Sequence, residues 1–255
     1  MSEQKIISIH SFRGGTGKSN TTANLATLIA QAGYSVGVID TDIQSPGIHV
    51  LFGLEEDDMR YSLNDYLWNN CEIYQAAYDV TANVGVPIEG QIFLIPSSIK
   101  TGEIARVLRE GYDVGLLNDG FQDLLEHLDL DVLLVDTHPG LNEETLLSIA
   151  ISDALIIIMR PDNQDYQGTG VTVEVARKLD VPNLFLAINK VPQSIDFNSL
   201  IANVEQVYDA DVGVLIPHSD ELMVLASEGV FAARYPDNPI SADLRNFAEQ
   251  LMALD

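Results

Sequence analysis

Apolar residues along this chain fall into short unbroken runs separated by stretches with helical spacing, and that alternation predicts the architecture. Residues 5–11 read as a buried strand. A helix is expected over 18–32, with apolar positions at Ala23, Ala26, Leu28, Ile29 and Ala30, and Gly33 ends it. The next strand, 34–39, runs into Asp40-Thr41-Asp42. At about 55–90 the regularity fades and the composition turns acidic, which predicts short helices in a turn-rich excursion suited to partner contacts. Residues 91–95 form a short strand stopped by Pro96. The helical pattern over 103–128 is interrupted by Gly111, Gly115 and Gly120, so two helices are expected there. A strand over 130–135, apolar apart from Asp131, ends in Asp136-Thr137-His138-Pro139-Gly140, with a helix from about Asn142. Strands at 154–159, 183–188 and 212–216 and a helix near 168–179 complete the pattern.

Strands apolar on both faces and separated by helices predict the α/β class: a mostly parallel twisted sheet of about seven to eight strands with helices on both faces. No linker, repeat or low-complexity segment interrupts the chain, so residues 1–255 are expected to form a single domain. In such sheets ligands sit at the carboxyl ends of the strands. The glycine loop, Asp40, Asp42, Asp136, Asn189 and Pro217 all fall there.

Composition narrows the function. A 46% hydrophobic content in 255 residues is enough for a substantial core. No apolar stretch reaches about 18 residues, and the opening Met1-Ser2-Glu3-Gln4-Lys5 lacks the long apolar region of a signal peptide, so a soluble, cytoplasmic protein is expected. With 38 acidic and 13 basic residues the net charge is −25, which repels phosphate backbones and anionic membrane. Nucleic-acid binding is therefore expected to be weak or absent, and membrane binding is disfavoured. The close basic pairs Arg106/Arg109 and Arg177/Lys178 read as exposed helix faces. Beyond Lys190 the chain offers only Arg234 and Arg245, and the closing run 240–255 sets Arg245 against Asp243, Glu249 and Asp255, unlike a basic surface-seeking helix. Such acidity also fits adaptation to high salt. A single cysteine, Cys71, suits a reducing compartment and excludes a Cys-x-x-Cys metal site within one chain.

The strongest local signal is Gly14-Gly15-Thr16-Gly17-Lys18-Ser19, placed between the first strand and the first helix. Its glycines let backbone N–H groups turn toward one point, the helix start adds partial positive charge, and Lys18 adds a full one. Those are the parts of a phosphate cradle. Asp40 and Asp42 end the second strand and, at alternating positions, are expected to project to the same side. His10 and His49 lie in apolar surroundings and read as packing residues. His138 either senses a γ-phosphate or fills a turn.

The loop resembles the deviant Walker A box of the MinD/ParA family of dimeric ATPases, Lys-Gly-Gly-x-Gly-Lys-Ser/Thr. The resemblance covers nearly the whole chain, because an Asp-x-Asp, an apolar strand ending in Asp, an Asn-Lys strand end and a late Ile-Pro follow in family order. Phe12 stands where the usual P-loop has glycine, and Arg13 stands at the family's signature lysine. The resemblance implies a three-layer P-loop NTPase fold that binds ATP/ADP and Mg²⁺. Gly14, Gly15, Thr16 and Gly17 would cradle phosphate, Lys18 would bridge the β- and γ-phosphates, and Asn20 would lie near the α-phosphate. Ser19 and Asp136 would hold Mg²⁺, with Asp40 supporting the metal and Lys18. Asp42 would orient the attacking water, and Gln44 with Ser45-Pro46-Gly47 would continue that switch. Arg13 would reach the nucleotide of a partner subunit, or else be an exposed loop cation.

Base choice follows from what comes after Asn189-Lys190. Guanine-specific GTPases have an Asp two residues on, and here Val191-Pro192 follows, so adenine is expected. Asn189 would pair with its amino edge, Lys190 would lay its stem along the ring, and Pro217 would pack on the base. The family resemblance further implies a slow ATP hydrolase that forms a homodimer when ATP-bound. Such a switch positions a chromosome, plasmid, division complex or other cargo, together with an activating or cargo adaptor protein. Two alternatives are an ATP-dependent metal-delivery factor, with Cys71 from each subunit as a two-thiolate site, and a weakly hydrolysing ATP-binding scaffold.

Overall fold

Strands of Ile, Val and Leu with no polar face must be covered on both sides, and the computed structural model, which describes residues 4–254, shows how. Residues 1–3 of the opening segment and Asp255 of the closing run lie outside the described residues. In chain order the elements are β1 (Lys5–His10), α1 (Lys18–Gln31), β2 (Ser35–Asp40), α2 (Ile48–Leu51), α3 (Leu63–Leu67), β3 (Tyr78–Asp79), β4 (Gln91–Ile95), α4 (Thr101–Glu110) and α5 (Gly115–His127). They continue with β5 (Val132–Asp136), α6 (Glu143–Ala150), β6 (Ala154–Met159), α7 (Asn163–Lys178), β7 (Asn183–Val191), α8 (Phe197–Tyr208), β8 (Asp211–Pro217), α9 (Asp220–Leu225), α10 (Phe231–Arg234) and α11 (Pro239–Met252).

The strands form one eight-stranded sheet in the order β3-β4-β2-β5-β1-β6-β7-β8. Every pairing is parallel except β3 with β4. Alternate residues of one strand enter opposite cores. Ile7 and Ile9 of β1 pack with Leu25 and Ile29 of α1 and Phe247 of α11, whereas Ile6 packs with Leu133, Val135 and the α5 residues Leu117, Phe121 and Leu124. A third cluster joins Leu155 and Ile157 of β6 to Val173 of α7 and Leu200 and Val204 of α8. The predicted α/β architecture with helices on both faces is therefore observed.

Several elements differ from the pattern-based expectation. Helix α7 starts at Asn163, ahead of the expected 168, because the Asp162 side chain accepts from the N–H groups of Gln164 and Asp165. Helix α8 was not expected at all. Asp196 caps it and Leu200, Val204 and Tyr208 line its buried side at four-residue spacing. The two-residue β3 is too short to leave a periodic signature. The excursion at 55–90 is also less open than its composition suggests, since Leu63, Leu67, Ile73 and Ala76 are buried against α5 and a Cβ on Gly120 would lie 2.7 Å from Ile73.

Candidate functional site

Strand order places the site. β1 lies between β5 and β6, and β2 lies beyond β5, so chain leaving β1 enters the crevice where successive connections diverge to opposite sides of the sheet. The glycine loop occupies it. Gly15 and Gly17 adopt φ of +75° and +101°, and a Cβ on Gly17 would lie 2.2 Å from the Asn189 amide nitrogen. Only glycine allows this close approach to β7.

The opposing strand is shaped to meet the loop. β7 is irregular between Ile188 and Val191, and Lys190 takes a left-handed φ of 57°. Asn189 Nδ2 donates to the Thr16 carbonyl at 2.7 Å, its Oδ1 accepts from Lys190 N at 2.7 Å, and Lys190 Nζ donates to the Gly15 carbonyl at 2.9 Å. The two residues expected at the adenine base thus brace the glycine loop. Pro217, the last residue of β8, pairs in register with Val191 on the same side.

Helix α1 opens directly from Gly17 with no side-chain cap and no acidic residue in its first turn. By contrast Asn142, Asp162, Asp196, Ser219 and Asn238 cap α6, α7, α8, α9 and α11. The free N–H groups and the dipole of α1 therefore face an anion's place, and the Thr16 hydroxyl, buried in the loop, has no partner either. Ser19 and Asn20 sit half-buried in the same first turn.

Beneath the loop Lys18 pairs with Asp136 at 2.9 Å, both side chains being buried. Burial alone would lower the Lys18 pKa, but Asp136, then Asp42 and Asp40, carry it above the ordinary value. The register of β2 against β5 sets Asp40 beside Asp136. Burial, then the Asp136 charge, push the Asp40 carboxyl up to about 8 against the pull of Lys18. Even with the Asp40 carboxyl held neutral, buried Asp42 and Asp136 outnumber the one lysine, and a divalent cation would neutralise the excess negative charge and draw Asp40 into its ionised form. Among the described residues no three His, Cys, Asp or Glu side chains converge on a ready-made metal site. Mg²⁺ here would complete its shell with phosphate oxygens and water, its usual habit.

Asp40 and Asp42 do not continue an alternating strand. β2 stops at Asp40, whose Oδ1 accepts from Asp42 N at 3.0 Å and whose Oδ2 accepts from Gly47 N at 3.2 Å. Asp40 therefore shapes the loop that carries Asp42. Asp42 Oδ1 accepts from Ser45 N at 3.2 Å and from His138 Nδ1 at 2.7 Å. His138 therefore makes a contact that neither expected role, γ-phosphate sensing or turn filling, includes: it binds the predicted water-orienting carboxylate. His10 is buried, with Nδ1 2.8 Å from the Thr137 hydroxyl. Burial, then the charges of Lys18 and His138, lower its pKa to about 3.

Arg13 leaves the loop in the other direction. Its guanidinium lies 2.8 Å from Asp162 and 2.9 Å from Asp165, and it donates to Gln164. Asp165 is buried and also accepts from Arg160 N at 2.9 Å and Arg160 Nε at 3.1 Å. Phe12 rests on α7, where a Cβ on Gly168 would lie 2.2 Å from its ring. Arg13 is thus clamped within its own chain, and no local signal in the sequence pointed to that clamp. Cys71 is half-buried, and burial with nearby Asp65 and Glu72 pushes its thiol up to about 11.

The family model described as AAA domain matches residues 4–188. The chain is similar to the ATP-binding protein MJ0547 of Methanocaldococcus jannaschii, 26% identical over 248 residues that span 96% of this chain and 87% of that protein. It is 26% identical over 192 residues to the iron–sulfur cluster carrier protein of Pyrococcus abyssi, spanning 72% of this chain and 60% of that one. It is 23% identical over 254 residues to the septum site-determining protein MinD of Bacillus subtilis, spanning 97% and 89%. Among solved structures, MinD of Pyrococcus horikoshii complexed with Mg-ADP superposes with a TM-score of 0.80 at 20% identity, covering 98% of this chain and 96% of that one.

Proposed function

The chain belongs to the MinD/ParA family of P-loop ATPases, and on that premise we propose that it is a slow, Mg²⁺-dependent ATP hydrolase working as an ATP-driven dimerisation switch. One observation carries this reading: a buried lysine faced by three carboxylates beneath a helix start that has no cap of its own. The N–H groups of residues 14–19 and Lys18 would hold the phosphates. Ser19 and Asp136, supported by Asp40, would hold Mg²⁺, which supplies charge neutralisation at the transferring phosphoryl group. Asp42 would orient the water, and Asn20 would lie near the α-phosphate. Asn189, Lys190 and Pro217 would frame the adenine, the first two while also bracing the glycine loop.

Dimerisation follows if the γ-phosphate binds better between two subunits than in one, because its hydrolysis then shifts the population back. Arg13 reaches the partner's nucleotide in this scheme and must first leave Asp162 and Asp165. Residues 1–255 act as one unit in the cytoplasm to position or partition a cargo, with an activating or adaptor protein as partner. The net charge of −25 supports weak or absent nucleic-acid binding, and among the described residues no helix is long and apolar enough to cross a membrane.

Size-exclusion chromatography of the Asp42→Ala variant with ATP and with ADP, at matched protein concentration, tests the switch. An earlier elution with ATP is expected, and identical elution overturns it. The likeness to an iron–sulfur cluster carrier favours one second reading, an ATP-dependent metal-delivery factor with a two-thiolate site built from Cys71 of two subunits. The raised thiol pKa weighs against it. Metal analysis of the dimer with and without Cys71→Ala separates the two.

A further inference from the structure

The hydrogen bond between His138 and Asp42 joins segments that reach the site from different strands, one following β5 and the other following β2. A carboxylate only accepts, so the ring proton sits on His138 Nδ1 and is donated to Asp42 Oδ1 at 2.7 Å. The same oxygen accepts from Ser45 N at 3.2 Å. Two donors on one oxygen fix the carboxylate plane, and Asp42 Oδ2 accepts no hydrogen bond among the described residues. One oxygen is thereby anchored while the other is left for a water molecule.

The anchor is itself fixed. The Thr145 hydroxyl, in the first turn of α6, donates to the His138 carbonyl at 3.2 Å, and Thr145 N donates to the capping Asn142 side chain at 2.8 Å. His138 is therefore tied at its backbone to the start of α6 and at its ring to the loop after β2. We propose that His138 is a positioning residue: it sets the Asp42 carboxylate for hydrolysis and makes that setting depend on where the turn between β5 and α6 lies. The proposal rests on the role given to Asp42 under the proposed function. It assigns His138 no contact with nucleotide.

Basal ATP turnover of four variants tests this. His138→Ala is expected to lower kcat about 100-fold, the effect of a misplaced group, with KM for ATP within about twofold. His138→Asn puts an amide N–H near the place of Nδ1 and should recover most of the rate. His138→Gln reaches instead toward the place of Nε2 and should not. A wild-type rate in His138→Ala, a loss that appears in KM rather than kcat, or rescue by Gln in place of Asn would each overturn the proposal. The Asn and Gln variants, checked by melting temperature and ADP calorimetry, keep the comparison valid if the Ala variant fails to fold. Asp42→Asn separates the two levels. If it hydrolyses normally, the reading of Asp42 fails and this proposal with it; if it is inactive while His138→Ala is normal, only the positioning role fails.

Discussion

Two cations leave the same loop in opposite directions. Lys18 turns in beneath the glycine loop at the carboxyl ends of β1 and β5, is 8% exposed and pairs with an Asp136 that is 1% exposed. Arg13 points along α7 and, though paired with Asp162 and Asp165, keeps a third of its side chain exposed. A buried pair is costly to break because the survivor is left charged without water, whereas a half-exposed pair is screened and exchanges its partners cheaply. The contrast assigns different duties: Lys18 is part of the fold and the site together, whereas Arg13 can change partners at lower cost because buried Asp165 keeps Arg160 when Arg13 leaves.

The largest effect is expected at Lys18. Lys18→Met leaves Asp40, Asp42 and Asp136 without their lysine and should cost about 3–5 kcal/mol in urea unfolding at neutral pH. Adding Asp136→Leu should recover much of that loss. A cost below about 1 kcal/mol for the single change would erase the contrast with Arg13.

Acid should strike the same buried centre. His10 has its pKa lowered from 6.5 to about 3, so the unfolded chain takes up a proton that the native state refuses. Its stabilising contribution is complete above about pH 6.5 and is lost as pH falls toward 3, with a slope approaching roughly 1.4 kcal/mol per pH unit. Thermal melts across that range should show a shallower slope for His10→Asn.

On the Arg13 side the keystone is Asp165. Asp165→Ala removes the acceptor of Arg13 and of two Arg160 groups and should cost about 1–3 kcal/mol, read from the urea midpoint. Arg13→Ala should cost under about 1 kcal/mol and leave ADP affinity unchanged by calorimetry, while abolishing the ATP-dependent shift in size-exclusion elution. A retained shift would sink the trans role while leaving the cis clamp intact.

Much of this was legible in residue order. The glycine run between an apolar strand and a helix, and the lone carboxylate at the end of the fifth strand, announce a phosphate site through local chemistry. The expected core strands match β4 and β6 at both ends. What escaped were features whose cause is distant or unperiodic. The start of α7 depends on a cap, Asp162, hidden in a polar run, and β3 exists only because β4 offers it an edge. That the Asn189 amide also braces the glycine loop is invisible in its dipeptide, because its partner Thr16 lies 173 positions away.

Sequence alone determined the class of fold, the glycine loop between the first strand and the first helix, and the family, because periodicity and short motifs act through neighbours along the chain. Tertiary structure alone decided that Asp40 shapes the loop carrying Asp42, that His138 ties that carboxylate to α6, and that Arg13 is clamped to α7. Each of those contacts depends on register between strands and on which buried charges end up within a few ångströms of one another, and it is burial that decides how strongly such charges act.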